Sequence, residues 1–226
     1  MRVAIIIPAL NEEQAIGQVL REIPSGICET IMVVDNGSTD GTAAAARSAG
    51  AFVLSQPVRG YGRACMTGIR HLQSLGAPDI LVFLDGDHSD HPEQLPEVLA
   101  PILSGKADLV IGSRLTGDRE RGSMTFPQVF GNKLAVFLIR SLTGVRFTDL
   151  GPFRAIRFEK LLAMDMQEMA YGWTVEMQLK AAKMRLRCAE VPMRYRARIG
   201  TSKVSGTVRG TILAGWRILY TIFRLR

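Results

Sequence analysis

The chain has 226 residues, of which 47% are hydrophobic, and this size and composition suit one α/β domain with a packed core. Its formal net charge is +7, and the excess lies at one end: residues 185–226 contain ten basic residues and one acidic residue, whereas the preceding residues contain 18 and 20. No apolar stretch approaches the roughly 20 residues that cross a bilayer, and the three widely spaced cysteines, without a C-x-x-C pair, favour reduced thiols over a disulfide or zinc framework.

Strand and helix signals alternate through the first half of the chain. The first signal is a continuous apolar run at 2–8, which predicts a buried strand and is too short for a signal peptide. Asn11 follows this run at a position that suits the cap of the next helix. We predict further strands at 30–35, 51–54, 80–84 and 108–112. We also predict one helix that begins near Asp40 and two more at 61–75 and 92–103. These repeated strand–helix units predict a largely parallel sheet with right-handed crossovers.

The second half is less regular and ends in an amphipathic helix. We predict helices at 129–142 and 174–184, a return to the sheet at 147–156, extended chain at 186–195, and a loop at 200–210. The last helix, 211–226, has apolar residues on one face and arginines on its flank, namely Ile212, Trp216, Leu219 and Phe223 with Arg217 and Arg224. Such a helix is typical of the lipid interface or of docking to a membrane-anchored partner, although a helix that packs on the core with solvated arginines fits the pattern too. We therefore divide the chain into a domain at 1–206 and an appended helix at 207–226.

Three polar clusters directly follow predicted strands, at residues 11–13, 35–40 and 85–87. In open parallel sheets, ligands bind beyond the carboxyl ends of the strands. Asp85 and Asp87 are the most specific of these residues, since two carboxylates after an apolar strand can share a hard divalent cation that also holds phosphate oxygens. Taken singly, each cluster is also explained as a solvated turn without a binding role. Three clusters at one edge of a sheet favour a binding site.

Other motifs near these clusters have two interpretations each. His88 and His91 lie close to the aspartates, but no third His or Cys stands at zinc-like spacing, which favours exposed loop histidines. The segment Arg-Gly-Tyr-Gly-Arg at 59–63 resembles a phosphate-binding loop that precedes a helix. A tight turn explains the same residues equally well. Tyr171 and Trp173 are candidates for stacking on a sugar or for packing in the core.

In order along the chain, a series of motifs resembles the family 2 glycosyltransferases. The first are IPALNE at 7–12, VDNGSTDGT at 34–42, LDGD at 84–87 and GSR at 112–114. Three later motifs, at 148–154, 171–176 and 194–203, are similar to the branch that contains dolichol-phosphate mannosyltransferase and the polyprenyl-phosphate glucosyltransferases. The resemblance covers nearly the whole chain. It implies the GT-A fold, a Rossmann-like, mainly parallel sheet flanked by helices, here followed by the amphipathic helix.

The resemblance also implies a role for each matching position. Asp85 and Asp87 would hold Mg²⁺ or Mn²⁺ together with the donor diphosphate. The nucleotide sugar would contact Pro8, Asn11, Glu12, Asp35 and Asp85. The acceptor phosphate would meet Arg114, Arg198, Ser202 and Lys203, while Asp149 and Glu176 would lie near the sugar or the acceptor. The implied catalytic set is Asp85, Asp87, Asp149 and Arg114.

The chain departs from the family pattern at two positions. Ser89 stands where relatives usually carry a Gln that helps to bind metal, so Ser89 or a water would substitute for it. An Arg expected near residues 128–129 is missing, which weakens the expected clamp on the acceptor phosphate.

The expected activity is transfer of a hexose from a UDP- or GDP-linked donor to a polyprenyl phosphate, by direct inverting displacement at the anomeric carbon. An ionised phosphate needs no strong base, whereas a hydroxyl acceptor would require one, with Asp149 or Glu176 as candidates. We expect an enzyme that lies on the cytoplasmic face of a membrane and binds no nucleic acid. The alternatives are a nucleotidyltransferase that forms a nucleotide sugar, and a non-enzymatic nucleotide- or RNA-binding module that uses the basic tail.

Overall fold

The computed structural model describes residues 1–200 and 208–225, and its centre is a seven-stranded sheet in the order β3-β2-β1-β4-β6-β5-β7. The neighbouring strands pair in parallel, except that β6 lies antiparallel to both β4 and β5. The strands are β1 (Val3–Ala9), β2 (Thr30–Asp35), β3 (Phe52–Ser55), β4 (Ile80–Phe83), β5 (Leu109–Ser113), β6 (Arg154–Arg157) and β7 (Cys188–Pro192). The prediction of a largely parallel sheet is confirmed.

Helices cover both faces of this sheet. The helices are α1 (Ile16–Glu22), α2 (Thr42–Ser48), α3 (Tyr61–Ser74), α4 (Leu95–Leu103), α5 (Phe126–Thr143), α6 (Phe158–Ala163), α7 (Trp173–Lys183) and α8 (Val208–Arg224), and a 3-10 turn at Pro92–Gln94 precedes α4. One core lies between the sheet and α1, α2 and α4, and the other lies between the sheet and α3 with α5 to α8. Alternate residues of β1 enter the two cores, Ile5 and Ile7 the first and Ile6 the second, which explains the continuous apolar run.

Two predictions about the first half are wrong in detail. Asn11 does not cap α1, which begins at Ile16; instead Asn11 has a positive φ of 54°, and its side-chain oxygen accepts a hydrogen bond from the Thr39 backbone N–H at 2.8 Å. Asn11 therefore joins the loop after β1 to the loop after β2. The helix predicted at 92–103 is divided, since a 3-10 turn at Pro92–Gln94 leads into α4.

The second half departs further from its predictions. Residues 147–153 do not enter the sheet and only Arg154–Arg157 does, because Asp149 turns inward to pair with Arg114. Helix α6 was not predicted. Of the predicted loop at 200–210, residues 208–210 are helical and 201–207 lie outside the described residues. Within the described ranges, no helix combines the length and the hydropathy that crossing a membrane requires.

The direction of the strands brings the polar clusters together. Strands β1, β2, β4 and β5 all run the same way, since β6 is antiparallel to both of its neighbours. The loops that follow them, with Glu12, Asp35, Asp85 and Arg114, therefore leave the same edge of the sheet. We call this edge the catalytic edge.

Candidate active site

Asp85 and Asp87 follow β4 at the catalytic edge, and both side chains line one cavity of about 410 Å³. The Tyr61 hydroxyl donates a hydrogen bond to Asp85 Oδ1 at 3.1 Å. Burial, and after it the negative charge of Asp87, raises the pKa of Asp85 to about 7. Two carboxyls that repel each other in a partly dehydrated site are stabilised in their charged forms by a cation.

The two aspartates fit a cation that takes most of its ligands from elsewhere. Within residues 1–200 and 208–225, no group of three His, Cys, Asp or Glu side chains is arranged to hold a metal ion. Mg²⁺ accepts such a site, because it keeps few protein carboxylates and completes its coordination with water and substrate phosphates. The oxygen ligands of Asp85 and Asp87 match that preference.

Asp87 is held by two neighbours. Its Oδ1 accepts hydrogen bonds from the Ser89 backbone N–H at 3.0 Å and from the Ser89 hydroxyl at 2.5 Å. Its Oδ2 lies 3.1 Å from Arg198, whose guanidinium also pairs with Glu12 at 2.6 Å. Ser89 thus orients Asp87, and Arg198 connects the loops after β1 and β4.

Arg114 forms the most extensive ion pair of the site, with Asp149. Its guanidinium donates to both oxygens of Asp149, at 2.9 and 2.7 Å, and its backbone N–H donates to Oδ2 at 2.7 Å. The ring of Tyr195 lies beneath the guanidinium at 5.2 Å. Burial alone would raise the pKa of Asp149, but the charge and hydrogen bonds of Arg114 hold it below its ordinary value.

Both candidate bases are buried. The side chains of Asp149 and Glu176 are fully buried, and both residues lie outside the lining of the two cavities at the catalytic edge. Glu176 accepts hydrogen bonds from the backbone N–H groups of Gln167 and Glu168 and pairs with Lys180. Asp149 positions Arg114, and Glu176 shapes the segment before α7.

The cavity that contains both aspartates is the more polar of the two cavities at the catalytic edge and lies at the ends of β1, β2 and β4. We call it the polar cavity; its lining includes Pro8, Glu12, Asn36, Arg59, Gly60, Tyr61, Asp85, Asp87, Tyr171 and Arg198. Of the residues implied for nucleotide-sugar binding, Pro8, Glu12 and Asp85 are in this lining. Asn11 and Asp35 are not, and Asp35 accepts a hydrogen bond from the Ser38 backbone N–H.

A second cavity, of about 280 Å³, adjoins the polar cavity and is mostly apolar. We call it the apolar cavity; it lies between α5, α8 and the loop before β6, and its lining includes Arg114, Met124, Pro127, Gln128, Gly131, Leu150, Pro152, Ala214, Gly215 and Ile218. Tyr61, Asp85 and Tyr171 line both cavities. These three residues surround the place where the cavities meet. Sequence patterns did not indicate this cavity, since its walls come from segments far apart in the chain.

The glycine-rich segment at 59–63 contributes to the polar cavity through Arg59, Gly60 and Tyr61. The Asn36 side chain fixes this segment, because its oxygen accepts a hydrogen bond from the Gly60 backbone N–H at 2.7 Å. Both glycines are required by close packing: a Cβ atom at Gly60 or at Gly62 would clash with a carbonyl oxygen of the 168–169 backbone. Arg59 and Asn36 line this cavity, although sequence reasoning gave neither of them an individual role.

The two histidines near the aspartates each contact a glutamate. His88 is buried, contrary to the expectation of an exposed loop histidine, and pairs with Glu22 at 2.8 Å; His91 pairs with Glu93 at 2.9 Å.

Trp173 is 1% exposed and packs edge-on against Phe83, so its core-packing interpretation is confirmed. Tyr171 is 39% exposed and lines both cavities. Ser202 and Lys203 lie outside the described residues.

Comparison with known proteins agrees with this architecture. The model of the family "Glycosyl transferase family 2" matches residues 4–163. The undecaprenyl-phosphate mannosyltransferase of Micrococcus luteus is 33% identical, over 93% of this chain and 90% of its own length. The dolichyl-phosphate hexose transferase of Haloferax volcanii is 34% identical, also over 93% and 90%.

A solved structure shares the fold. The glucosyl-3-phosphoglycerate synthase of Mycobacterium tuberculosis superposes with a TM-score of 0.76 at 26% identity, over 99% of this chain and 79% of its own. The same protein has been solved with Mn²⁺, UDP-glucose and phosphoglyceric acid, and that structure has the same TM-score at 25% identity. The chain therefore belongs to glycosyl transferase family 2, and it is a hexosyltransferase with the GT-A fold. Neither the nucleotidyltransferase nor the RNA-binding alternative is favoured.

Proposed function

We propose that this family 2 glycosyltransferase transfers a hexose from a UDP- or GDP-linked donor to a polyprenyl phosphate at a membrane surface. The observation that carries the proposal is the junction of two unlike cavities at Asp85, Tyr61 and Tyr171. One cavity suits a charged nucleotide, and the other suits an apolar chain that begins with a phosphate.

The polar cavity is the proposed donor site. Pro8, Glu12 and Asn36 lie at the ends of β1 and β2 and would receive the nucleoside, with Asn11 and Asp35 supporting their loops. Asp85 and Asp87 would hold Mg²⁺ or Mn²⁺ against the diphosphate, and the Mn²⁺ and UDP-glucose named in the related synthase structure support that assignment. When bound, the cation neutralises the charge that develops on the departing diphosphate.

The apolar cavity is the proposed acceptor site. Arg114 lies in its lining, and Asp149 fixes its side chain. The positive guanidinium of Arg114 is therefore already positioned for an anionic headgroup. The small residues Gly131, Ala214 and Gly215 leave room for a chain between α5 and α8. Arg198, together with Ser202 and Lys203 from the segment outside the described residues, would complete the contacts to the phosphate.

The chemistry follows from these placements. An acceptor phosphate oxygen attacks the anomeric carbon, and the bond from that carbon to the donor diphosphate breaks with inversion. A phosphate carries its negative charge at neutral pH, so no protein base has to remove a proton. The burial of Asp149 and Glu176 supports an ionised acceptor over a hydroxyl. The remaining task is alignment and stabilisation of charge, which Arg114 and Arg198 can supply.

The outer surface of α5 and α8 supports work at a membrane. Of the face predicted for α8, Ile212, Trp216 and Phe223 have 64%, 67% and 58% of their surface accessible, and Leu219 is partly buried. Phe126, Phe130 and Phe137 on α5 are also largely exposed. Neither helix contains an acidic residue, whereas both contain basic ones. Apolar and aromatic side chains beside basic residues suit the anionic interface of a bilayer, which we place at the cytoplasmic face.

One incubation tests the proposal. The purified chain would be mixed with Mn²⁺, a polyprenyl phosphate in detergent, and UDP- or GDP-linked hexoses in turn. We expect a lipid-linked hexose and a free nucleoside diphosphate from one donor. Release of pyrophosphate would instead indicate nucleotidyl transfer. Sugar transfer to a soluble phosphorylated acceptor, with none to the lipid, would refute the proposed acceptor.

A further inference from the structure

The last helix, α8, is joined to the catalytic edge through one buried carboxylate, that of Glu168. This side chain is fully buried. Its Oε1 accepts hydrogen bonds from Arg217 Nε at 3.0 Å and from the Ala170 backbone N–H at 2.9 Å, and its Oε2 accepts one from the Thr221 hydroxyl at 3.1 Å. Two of these three donors belong to α8, so the carboxylate fastens α8 to the segment 168–171.

The segment 168–171 in turn packs closely, backbone against backbone, on the first turn of α3. Met169 O accepts a hydrogen bond from the Arg63 backbone N–H at 3.0 Å. Gly60 and Gly62 leave no room for a side chain between the two backbones, because a Cβ atom at either position would clash with a carbonyl of residues 168 and 169. Two backbones packed this closely leave little room for relative movement, so a displacement of the segment displaces the start of α3.

The two segments that meet in this backbone contact contain Tyr61 and Tyr171, respectively. Both line the junction of the polar and apolar cavities. Tyr61 also donates its hydroxyl to Asp85 at 3.1 Å. The close approach of Gly172 to Thr221, where a Cβ atom would clash with the hydroxyl, fixes the other side of Tyr171 to α8.

We infer that Glu168 is a positioning residue for glycosyl transfer: by fastening α8 to the segment 168–171, it sets Tyr61 and Tyr171 at the junction of the two cavities. The inference rests on the proposed function in one respect, since it takes this junction as the place of the transferred sugar. Glu168 itself touches neither cavity. It acts through the backbone contact, and α8 thereby contributes to catalysis as well as to the outer surface.

A purely structural role for Glu168 leads to a different expectation. If the carboxylate only anchored α8, its loss would lower stability while each folded molecule kept its turnover. A positioning role predicts lower kcat with nearly unchanged affinity for the nucleoside diphosphate, because the nucleoside part of the polar cavity is built from the ends of β1 and β2. The two roles are therefore separable.

The first experiment compares Glu168→Gln with the wild type and with Glu97→Gln, the same change at an exposed position of α4. The amide has one accepting oxygen where the carboxylate has two, and it lacks the charge that pairs with Arg217. We expect kcat per folded molecule to fall about tenfold, while the calorimetric Kd for UDP or GDP with Mn²⁺ changes less than about threefold. Unchanged kcat, or equal losses in kcat and in diphosphate affinity, would overturn the inference.

The second experiment varies Thr221 and covers the case in which Glu168→Gln does not fold. Thr221→Val removes the hydroxyl at constant shape, and Thr221→Ser restores it. We expect kcat to fall in the first variant and to recover in the second. Equal kcat in both would overturn the inference, whatever their stabilities.

The assay also separates this inference from the proposed function. Each variant is measured both for transfer to polyprenyl phosphate and for hydrolysis of UDP-glucose or GDP-mannose by water. If the wild type hydrolyses a donor but transfers nothing to lipid, the proposed acceptor fails, and the hydrolysis rates still test Glu168. If the wild type consumes no donor in either assay, both proposals fail.

Discussion

The guanidinium of Arg198 lies 3.1 Å from the carboxylate of Asp87, one of the two proposed cation ligands. The same guanidinium pairs with Glu12 at 2.6 Å. Arg198 thus offsets the charge of Asp87, and it would compete with the proposed cation for the same carboxylate. Arg198 stands six residues after Pro192, the last residue of β7, so this contact links the segment after β7 to the proposed donor site.

Replacing Arg198 with Gln should separate cation binding from turnover. We expect Mn²⁺ to bind about three- to tenfold more tightly, because a competing charge worth about 1 kcal/mol is removed. Turnover should fall, since the guanidinium proposed to contact the acceptor phosphate is lost. Titration calorimetry and steady-state kinetics measure the two effects. Arg194→Gln, which breaks an exposed pair with Glu93, is the control. Weaker Mn²⁺ binding in Arg198→Gln would contradict the competition.

Asp87→Asn tests the cation site directly. The amide keeps the shape of the side chain and removes one of two carboxylates at the site, so transfer should fall by at least about 100-fold. The fold should persist, as measured by circular dichroism and thermal unfolding. Full activity of a folded Asp87→Asn variant would remove Asp87 from the proposed cation site.

The stability of the metal-free protein should depend on pH through Asp85. Its pKa is raised to about 7 in the folded state, by burial and then by Asp87, from an ordinary value of 3.8. The folded state therefore binds more protons than the unfolded state between these values, so this contribution to stability is complete below about pH 4 and is lost as the pH rises through about 7. Urea unfolding in the presence of a chelator measures the slope. Asp85→Asn should flatten it, and an identical slope in that variant would exclude Asp85 as its source.

Asp149→Asn should be costly to stability. The change leaves the largely buried guanidinium of Arg114 without a carboxylate, and breaking a buried pair in this way destabilises by about 3 kcal/mol. Urea unfolding near neutral pH measures the loss. Glu159→Gln, which breaks an exposed pair with Lys160, should cost almost nothing. A loss as small in Asp149→Asn as in this control would mean that Arg114 finds other partners.

The outer face of α5 should matter for membrane binding as much as that of α8. Phe130→Ser with Phe137→Ser removes two exposed rings, and each buried ring contributes about 1.5–3 kcal/mol to transfer from water. Partition to phosphatidylcholine vesicles that contain phosphatidylglycerol should fall at least about tenfold. Leu75→Ser, at an exposed apolar residue at the end of α3, is the control. Equal partition of all three proteins would refute a role for α5.

Much of the fold follows from local pattern. The apolar run of β1, the helical spacing of α3 and the Asp-Gly-Asp motif after β4 are readable without any knowledge of distant contacts. The position and direction of β6 cannot be predicted in this way, because a short antiparallel strand has the same apolar pattern as a parallel one. The cap assigned to Asn11 failed for a similar reason, since its real partner, Thr39, lies 28 residues away.

The sequence by itself determined the fold class, the glycosyltransferase family and the three polar clusters, because period-two and period-3.6 patterns and motif spacing are properties of neighbouring residues. Only the tertiary structure decided that Tyr61 contacts Asp85, that Arg198 joins Glu12 to Asp87, and that Glu168 holds α8. It also decided which side chains line the junction of the two cavities. These contacts join residues 24 to 186 positions apart, and their choice depends on how whole helices pack on the sheet. No local pattern encodes that packing.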